Sequence, residues 1–549
     1  MANISAMSTV GAISGALAVN GSYNLYMGFG GTNMGYFGGA NGGGTDYEPV
    51  ITSYDYNAPV EEGGGHGYGH DGDKYDAIRR INSYWAPPGE APPPADPPAP
   101  PVAAYGPLTL PTSAGLFASL AHLGPTLPGF ATPPSLESLN ASSGYMLYSA
   151  VLPALPGSAF ALNIAAISDF ATVYVNSAMV GEPLWRPTAR SAQVPLPAAA
   201  LNAGGATLSV LVENMGHINY GRGWWDPKGI TGQVTLNGQP LPAGLLWSAT
   251  PLPLLAAQVA SLPFAPGPAP AGPAFYQGTL TLPSAPADTY ISLCGWGKGQ
   301  IYLNGVHLGR HWAGRGPQHA YYIPAALLQQ GANAITVFEH LGAPGNVSVS
   351  FGSVPDFTGA ACGLSESAQP PPPAHSRHQR PLPRRAAAAP AAAAAAPLRE
   401  QCKGASPPLQ GTDLTIEQCA AASTPAASTT WAWVTVSGEA GILQLQANAS
   451  LCAAQVGTNP SSGQPNYALA PCSKGDRTQH LLPFPSNGQT MLNPISGKCM
   501  EAFGGENSGP GSRIETYDCN GGANQGWAWD AGAPGQLVNQ QGGLCLAAC

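Results

Sequence analysis

Three groups of residues in this 549-residue chain have the types and spacing to do chemistry. His66 and His70, within GGGHGYGHDGDKY, lie beside Asp71 and Asp73, and imidazoles with carboxylates can hold a divalent cation. A glycine-rich loop would lose much entropy in ordering each ligand, which argues against that use; no metal and no other cofactor is expected. Just before them, Glu61 and Glu62 read as solvated loop charges. The third group is the cysteines: eight of the 10 lie between Cys402 and Cys549, without CxxC spacing. They read as disulfides made in an oxidising compartment. No GxSxG, HExxH or phosphate-binding glycine motif occurs.

Cys402, Cys452, Cys499 and Cys545 are separated by 50, 47 and 46 residues, and Cys472 and Cys519 each follow their predecessor by 20. Fixed periods of this size indicate a repeat architecture. LTIEQC…WAW, from Leu414 to Trp433, is echoed by RIETYDC…QGWAW, from Arg513 to Trp529. The pattern resembles the ricin B-type lectin domain, a β-trefoil of three repeats. That resemblance implies the pairings Cys402–Cys419, Cys452–Cys472 and Cys499–Cys519, and places Trp527 in the core. Sugar recognition needs an aromatic face and a few fixed hydrogen-bonding groups. By resemblance these are Glu501, where the family has Asp, with Tyr517, Asn524 and Gln525. Repeat one has Gln418 before Cys419, and repeat two has Ala470-Pro471 before Cys472. At most one working site is therefore expected, in repeat three.

Residues 23–59, YNLYMGFGGTNMGYFGGANGGGTDYEPVITSYDYNAP, carry NLYM, GGTN, GAN and TSYDYxAP in order. This series resembles the end of the catalytic barrel of the glycoside hydrolase family 35 β-galactosidases. VLVENMGHINYG (Val210 to Gly221) and GWGKGQIYLNGVHLGRHWAGRGPQHAYYIP (Gly295 to Pro324) extend the resemblance to about residue 356. It implies a galactose pocket lined by Tyr26 and Tyr56, with Tyr54 and Asp55 supporting Tyr56. It also implies hydrolysis of terminal non-reducing β-D-galactosyl residues with retention, in the full-length family. Such a mechanism needs two carboxylates about 5 Å apart. The family's glutamates stand in Asn-Glu and Ser-Glu contexts upstream of this segment. The chain holds no Asn-Glu, and its Ser365-Glu366 falls in a linker. No catalytic residue is therefore assigned: the chain is expected to begin after its own chemistry and to be inactive alone. The other reading is a non-catalytic carbohydrate-binding lectin.

Positioning these residues requires several domains. Charged residues make up only 9% of the chain, with 71 Gly and 58 Pro, which suits many short strands and tight turns. The net charge of −9, without a basic cluster outside the linker, argues against nucleic acid and anionic membrane as partners. Galactosides or galactose-containing glycans are the expected partners. No run of 18 apolar residues exists to span a bilayer. The opening MANISAMSTVGAISGALAVNG lacks a basic n-region and reads as a helix rather than an export signal. Family and cysteines nevertheless point to a secreted, cell-wall or vacuolar/lysosomal setting, which the sequons at Asn140 and Asn346 suit.

The expected architecture is mainly β. Residues 1–85 are a remnant of a (β/α)8 barrel, with a helix, a strand from Tyr23 to Phe29 and a helical KYDAIRRINSYW. Without neighbouring barrel strands, this segment is expected to fold poorly. A Pro-rich connection covers 86–106. Period-two runs give a β-sandwich over 107–250 and a galactose-binding-like jelly roll over 262–356. A Pro/Ala-rich linker spans 365–400 and the trefoil 401–549.

Overall fold

The computed structural model describes residues 4–42, 47–66, 74–87, 89–91, 93–186, 193–219, 223–315, 318–357, 362, 410–417, 429–459, 462–485 and 489–548. Residues 365–400, Cys402, Gln418 and Cys419 lie outside them. Among the described residues no helix is long and apolar enough to cross a membrane.

Strands dominate, in two sandwiches and a trefoil. The first sandwich has a six-stranded sheet, whose centre pairs Ala206–Glu213 with Tyr145–Leu152 and Phe170–Val175. Facing it is a four-stranded sheet that includes Phe160–Ile164 and Val234–Leu236. Alternating residues, Leu208, Val210 and Val212 from one sheet and Leu162 and Ile164 from the other, fill one core. The second sandwich pairs Ala274–Leu282, Gly331–Glu339, Lys298–Leu303 and Val306–Trp312 in one sheet. Its other sheet holds Thr289–Ser292, Ala320–Ile323 and Ser348–Gly352. Cys294 is bonded to Cys362 beside it.

The boundary expected at residue 107 is corrected. Gly106–Thr109 pairs with Ser348–Gly352, and Thr112–Gly115 with Ala274–Leu282, so both belong to the second sandwich. Period-two patterning identifies a strand, but its partner is chosen by contacts far away in sequence.

The trefoil buries Trp431 and Trp527 with Leu443, Tyr467, Met500 and Leu537. Each indole has a backbone acceptor at 3.0 Å: Trp431 Nε1 donates to Leu546 O, and Trp527 Nε1 to Met500 O. Cys452 is bonded to Cys472 and Cys499 to Cys519, two of the three pairs implied by the resemblance.

The amino-terminal segment departs from expectation twice. Helix α1 (Ala6–Ala18) opens on Ser5, whose Oγ accepts the Ser8 N–H at 3.1 Å. Helix α2 (Lys74–Trp85) follows, but the chain from Tyr23 to Phe29 is not a strand. Among the described residues only an isolated bridge, Phe29 to Val60, forms there: a strand needs a ladder partner, and no described strand runs beside it. Nor are the helices left bare. Val10, Ile13 and Ile81 are buried against Phe484 and Leu492 of the trefoil.

Polar residues of the three sequence motifs are buried fasteners. Glu213 of VLVENMG accepts from Arg310 Nε of GRHW at 2.7 Å and pairs with Lys298 of GKGQ. Gln300 Nε2 donates to Tyr145 Oη at 3.0 Å, and Arg310 reaches Val50 O at 3.4 Å. Lys228 Nζ donates to Asp169 Oδ2 and to Gly216 O, both at 2.7 Å. Tyr47 Oη donates to the same Asp169 oxygen at 2.9 Å. Charges taken out of water this completely persist only when paired, so these networks fix how the amino-terminal segment and the two sandwiches meet.

Candidate functional site

The barrel-end rim is shaped by glycine. A Cβ on Gly30 would collide with the Asp55 carbonyl, and Gly31 has φ +70°, so the GG pair lets the two stretches close on each other. Asp55 Oδ1 accepts the Asn57 N–H at 2.9 Å, which sets the turn after TSYDY.

The three tyrosines are not brought together. Tyr26 is 79% exposed, and its hydroxyl lies 3.0 Å from that of Tyr54, with the rings perpendicular at 6.2 Å. Tyr56 turns inward instead. Its hydroxyl accepts the Ser53 N–H at 3.2 Å, its ring meets Phe357 edge-on at 6.0 Å, and burial pushes its pKa up to about 12.

Tyr56 lines a crevice with Gly30, Asp55, Glu62, Tyr290 and Phe357. Glu62 overturns its reading as a solvated loop charge. Its Oε1 accepts from Thr32 Oγ1 at 2.6 Å and its Oε2 from Gln318 Nε2 at 2.8 Å. Burial raises its pKa above the ordinary carboxylate value. Glu62 thus ties the rim to Gln318 of the second sandwich, more than 250 residues away, a partner that no local signal reveals. Glu61, beside it, is half-buried and donates its backbone N–H to Gly65 O at 3.0 Å.

His66 does approach two carboxylates, though other ones than the sequence suggested. Donor atoms of His66, Asp76 and Asp96 lie within 4.8 Å of one another. Arg79 already pairs with Asp96, and the His66 ring stacks on Tyr75 at 4.6 Å. His70, Asp71 and Asp73 lie outside the described residues.

The third trefoil lobe gathers its four candidates more closely. Cys499 pairs with Tyr517 and Glu501 with Glu515 across one hairpin, so Glu501 and Tyr517 share a face as diagonal neighbours. Glu501 is buried, and its Oε2 accepts from Asn524 Nδ2 at 3.1 Å and Gln525 Nε2 at 2.9 Å. Burial raises the pKa of Glu501, against the two amide donors that favour the anion. Tyr517 stands at the rim with 40% of its surface exposed. An aimed carboxylate beside an open ring can accept sugar hydroxyls while the ring covers an apolar sugar face.

One member of the repeat escaped the sequence reading. Gln479 Oε1 accepts the Ser473 N–H at 3.0 Å, just as Gln525 Oε1 accepts that of Asn520 at 3.0 Å. Gln479 is the second lobe's counterpart, hidden because Leu481 occupies the place of Trp527. The 46-residue interval from Gln479 to Gln525 was the available signal.

Comparison with known families covers each of these parts. Residues 2–84 match the model for glycosyl hydrolases family 35, 133–253 that for the first all-beta domain of beta-galactosidase, and 273–333 its galactose-binding domain. Residues 439–549 match the ricin-type beta-trefoil lectin domain. Beta-galactosidase 1 of Dictyostelium discoideum is 33% identical over 347 residues, 59% of this chain and 50% of that protein. Beta-galactosidase 17 of Arabidopsis thaliana is 34% identical over 60% of this chain and 50% of its own length. The beta-galactosidase of Xanthomonas manihotis is 38% identical over 55% and 47% respectively. The chain thus spans about half the length of these relatives. Its amino-terminal parts are thus similar to family 35 β-galactosidases, and its carboxy-terminal part to ricin-type β-trefoil lectin domains.

Proposed function

We propose that this chain carries the carbohydrate-handling β-modules of a β-galactosidase-family protein, with lobe three of the trefoil as its galactoside-binding site. The observation that carries the reading is the Glu501 carboxylate, held by Asn524 and Gln525 beside the exposed ring of Tyr517. In this reading the ring stacks on the apolar face of the sugar and Glu501 accepts its hydroxyls. Tyr26, Tyr54 and Tyr56 belong to the galactose-facing rim, Tyr56 through its crevice and the other two through their exposed hydroxyl pair.

The full-length family activity is hydrolysis of terminal β-D-galactosyl residues by double displacement, for which a nucleophilic and an acid/base carboxylate must flank the bond. At the rim, both Glu62 oxygens are engaged, by Thr32 and Gln318, which suits a joining role better than a catalytic one. In this reading the chain alone binds sugar without cleaving it. The disulfides suit a secreted, cell-wall or vacuolar/lysosomal setting.

Two measurements test this reading. The purified chain should be retained on immobilised lactose and released by free galactose, and Tyr517→Ala should pass through unretained. On a chromogenic β-galactoside the chain should show no turnover. Failure of retention would remove the lectin role, and enzymatic turnover would require a carboxylate pair in place of the binding-only reading.

A further inference from the structure

The surface where the helical pair meets the trefoil plays no part in the functional reading above. On α1, Ser8, Gly11, Ser14 and Gly15 recur at helical spacing and form one face of small residues. Against that face lies the trefoil turn at Gly497. Ser14 Oγ donates to Pro494 O at 2.5 Å and Ser8 Oγ to Cys519 O at 3.1 Å. A Cβ at Gly11 would stand 2.6 Å from Gly497 O, so only glycine allows this approach. Gly497 in turn has φ +64°, and a Cβ there would collide with Gly11 O. The two surfaces are therefore matched backbone to backbone.

Around this contact the chemistry is that of a built interface, an apolar centre within a polar rim. Val10, Ile13 and Ile81 pack with Leu482, Phe484 and Leu492. From α2, Tyr84 Oη lies 2.6 Å from His480 Nδ1 and Arg80 Nε 3.2 Å from Glu439 Oε2. Arg477 of the trefoil covers the Trp85 ring at 4.7 Å.

We propose that the α1–α2 pair is the seat of the trefoil: an intramolecular receptor that holds the lectin domain in one orientation on the rest of the chain. The seat grips the Cys499–Cys519 hairpin from the side of the Cys519 carbonyl, while Tyr517 on the same hairpin stays open to solvent. Docking thereby sets the direction in which the lobe-three face points relative to the rim tyrosines. The inference stands whether or not lobe three binds sugar.

The test cuts the tether in the folded full chain. A specific protease site is placed within residues 365–400, the chain is cleaved, and the products are run on size exclusion at micromolar concentration, where the tether no longer supplies an effective concentration. The two pieces should co-elute. In Gly11→Trp, with far-UV circular dichroism unchanged, they should separate completely. Separation of the cleaved wild type would overturn the proposal, and so would co-elution of a folded Gly11→Trp. If Gly11→Trp does not fold, Arg80→Glu combined with Tyr84→Ala at the rim is read by the same two outcomes.

Discussion

Arg310 Nε lies 2.7 Å from Glu213 Oε1 with both side chains buried, and this pair fastens the central strand of one sandwich to the hairpin of the next. Lys298 shares the same carboxylate, and Arg310 continues to the backbone of Val50 in the rim. Three bodies are thus keyed to one acid.

Removing that acid strands two buried cations. Glu213→Ala should cost about 3–5 kcal/mol, the usual penalty for breaking a buried ion pair from one side. It should appear in differential scanning calorimetry as a lowered transition for the two sandwiches, with the trefoil transition unmoved. A shared drop would argue against separate cooperative units.

The pH dependence follows from opposing buried groups. Burial raises Glu339 to about 7, so it favours folding as pH falls from 7 toward its ordinary 4.5. Burial holds His307 and His311 at about 3, so each opposes folding as pH drops below its ordinary 6.5. From pH 6.5 to 5 each group is worth about 2 kcal/mol, and two histidines outweigh one glutamate. Thermal stability of the sandwiches should therefore peak near neutrality and fall toward pH 5. His311→Gln should flatten the acid limb, and an unchanged limb would exclude His311 as a cause of it.

Within the trefoil, the two halves of the candidate site should separate by stability. Tyr517→Ala removes a half-exposed ring and should leave the trefoil melting temperature nearly unchanged while abolishing retention on lactose. Gln525→Ala strips Glu501 and the Asn520 N–H of a partner. It should cost about 1–3 kcal/mol, measured by denaturant unfolding followed through tryptophan fluorescence.

Opening Cys499–Cys519, which closes a 20-residue separation, should lower trefoil stability by about 3 kcal/mol through the entropy regained by the unfolded chain. The double Cys→Ser variant at these positions, melted beside wild type, measures it. It should also loosen the seat, because Ser8 bonds the Cys519 carbonyl.

Local and periodic features were legible in the residues themselves. The period of the cysteines announced the repeat, and alternation along YMLYSAVL and ATLSVLVE announced strands of a sandwich core, because those signals repeat every two or every 46 to 50 residues. The four lobe-three candidates also came from sequence, and three of them share one hydrogen-bonded network. What tertiary structure alone decided was who meets whom. Gly106–Thr109 chose the later sandwich, Glu62 left solvent for Thr32 and Gln318, and the small face of α1 found the turn at Gly497. Those choices depend on burial and on partners hundreds of residues apart, so free energies set by the assembled surfaces, rather than neighbouring residue types, determined them.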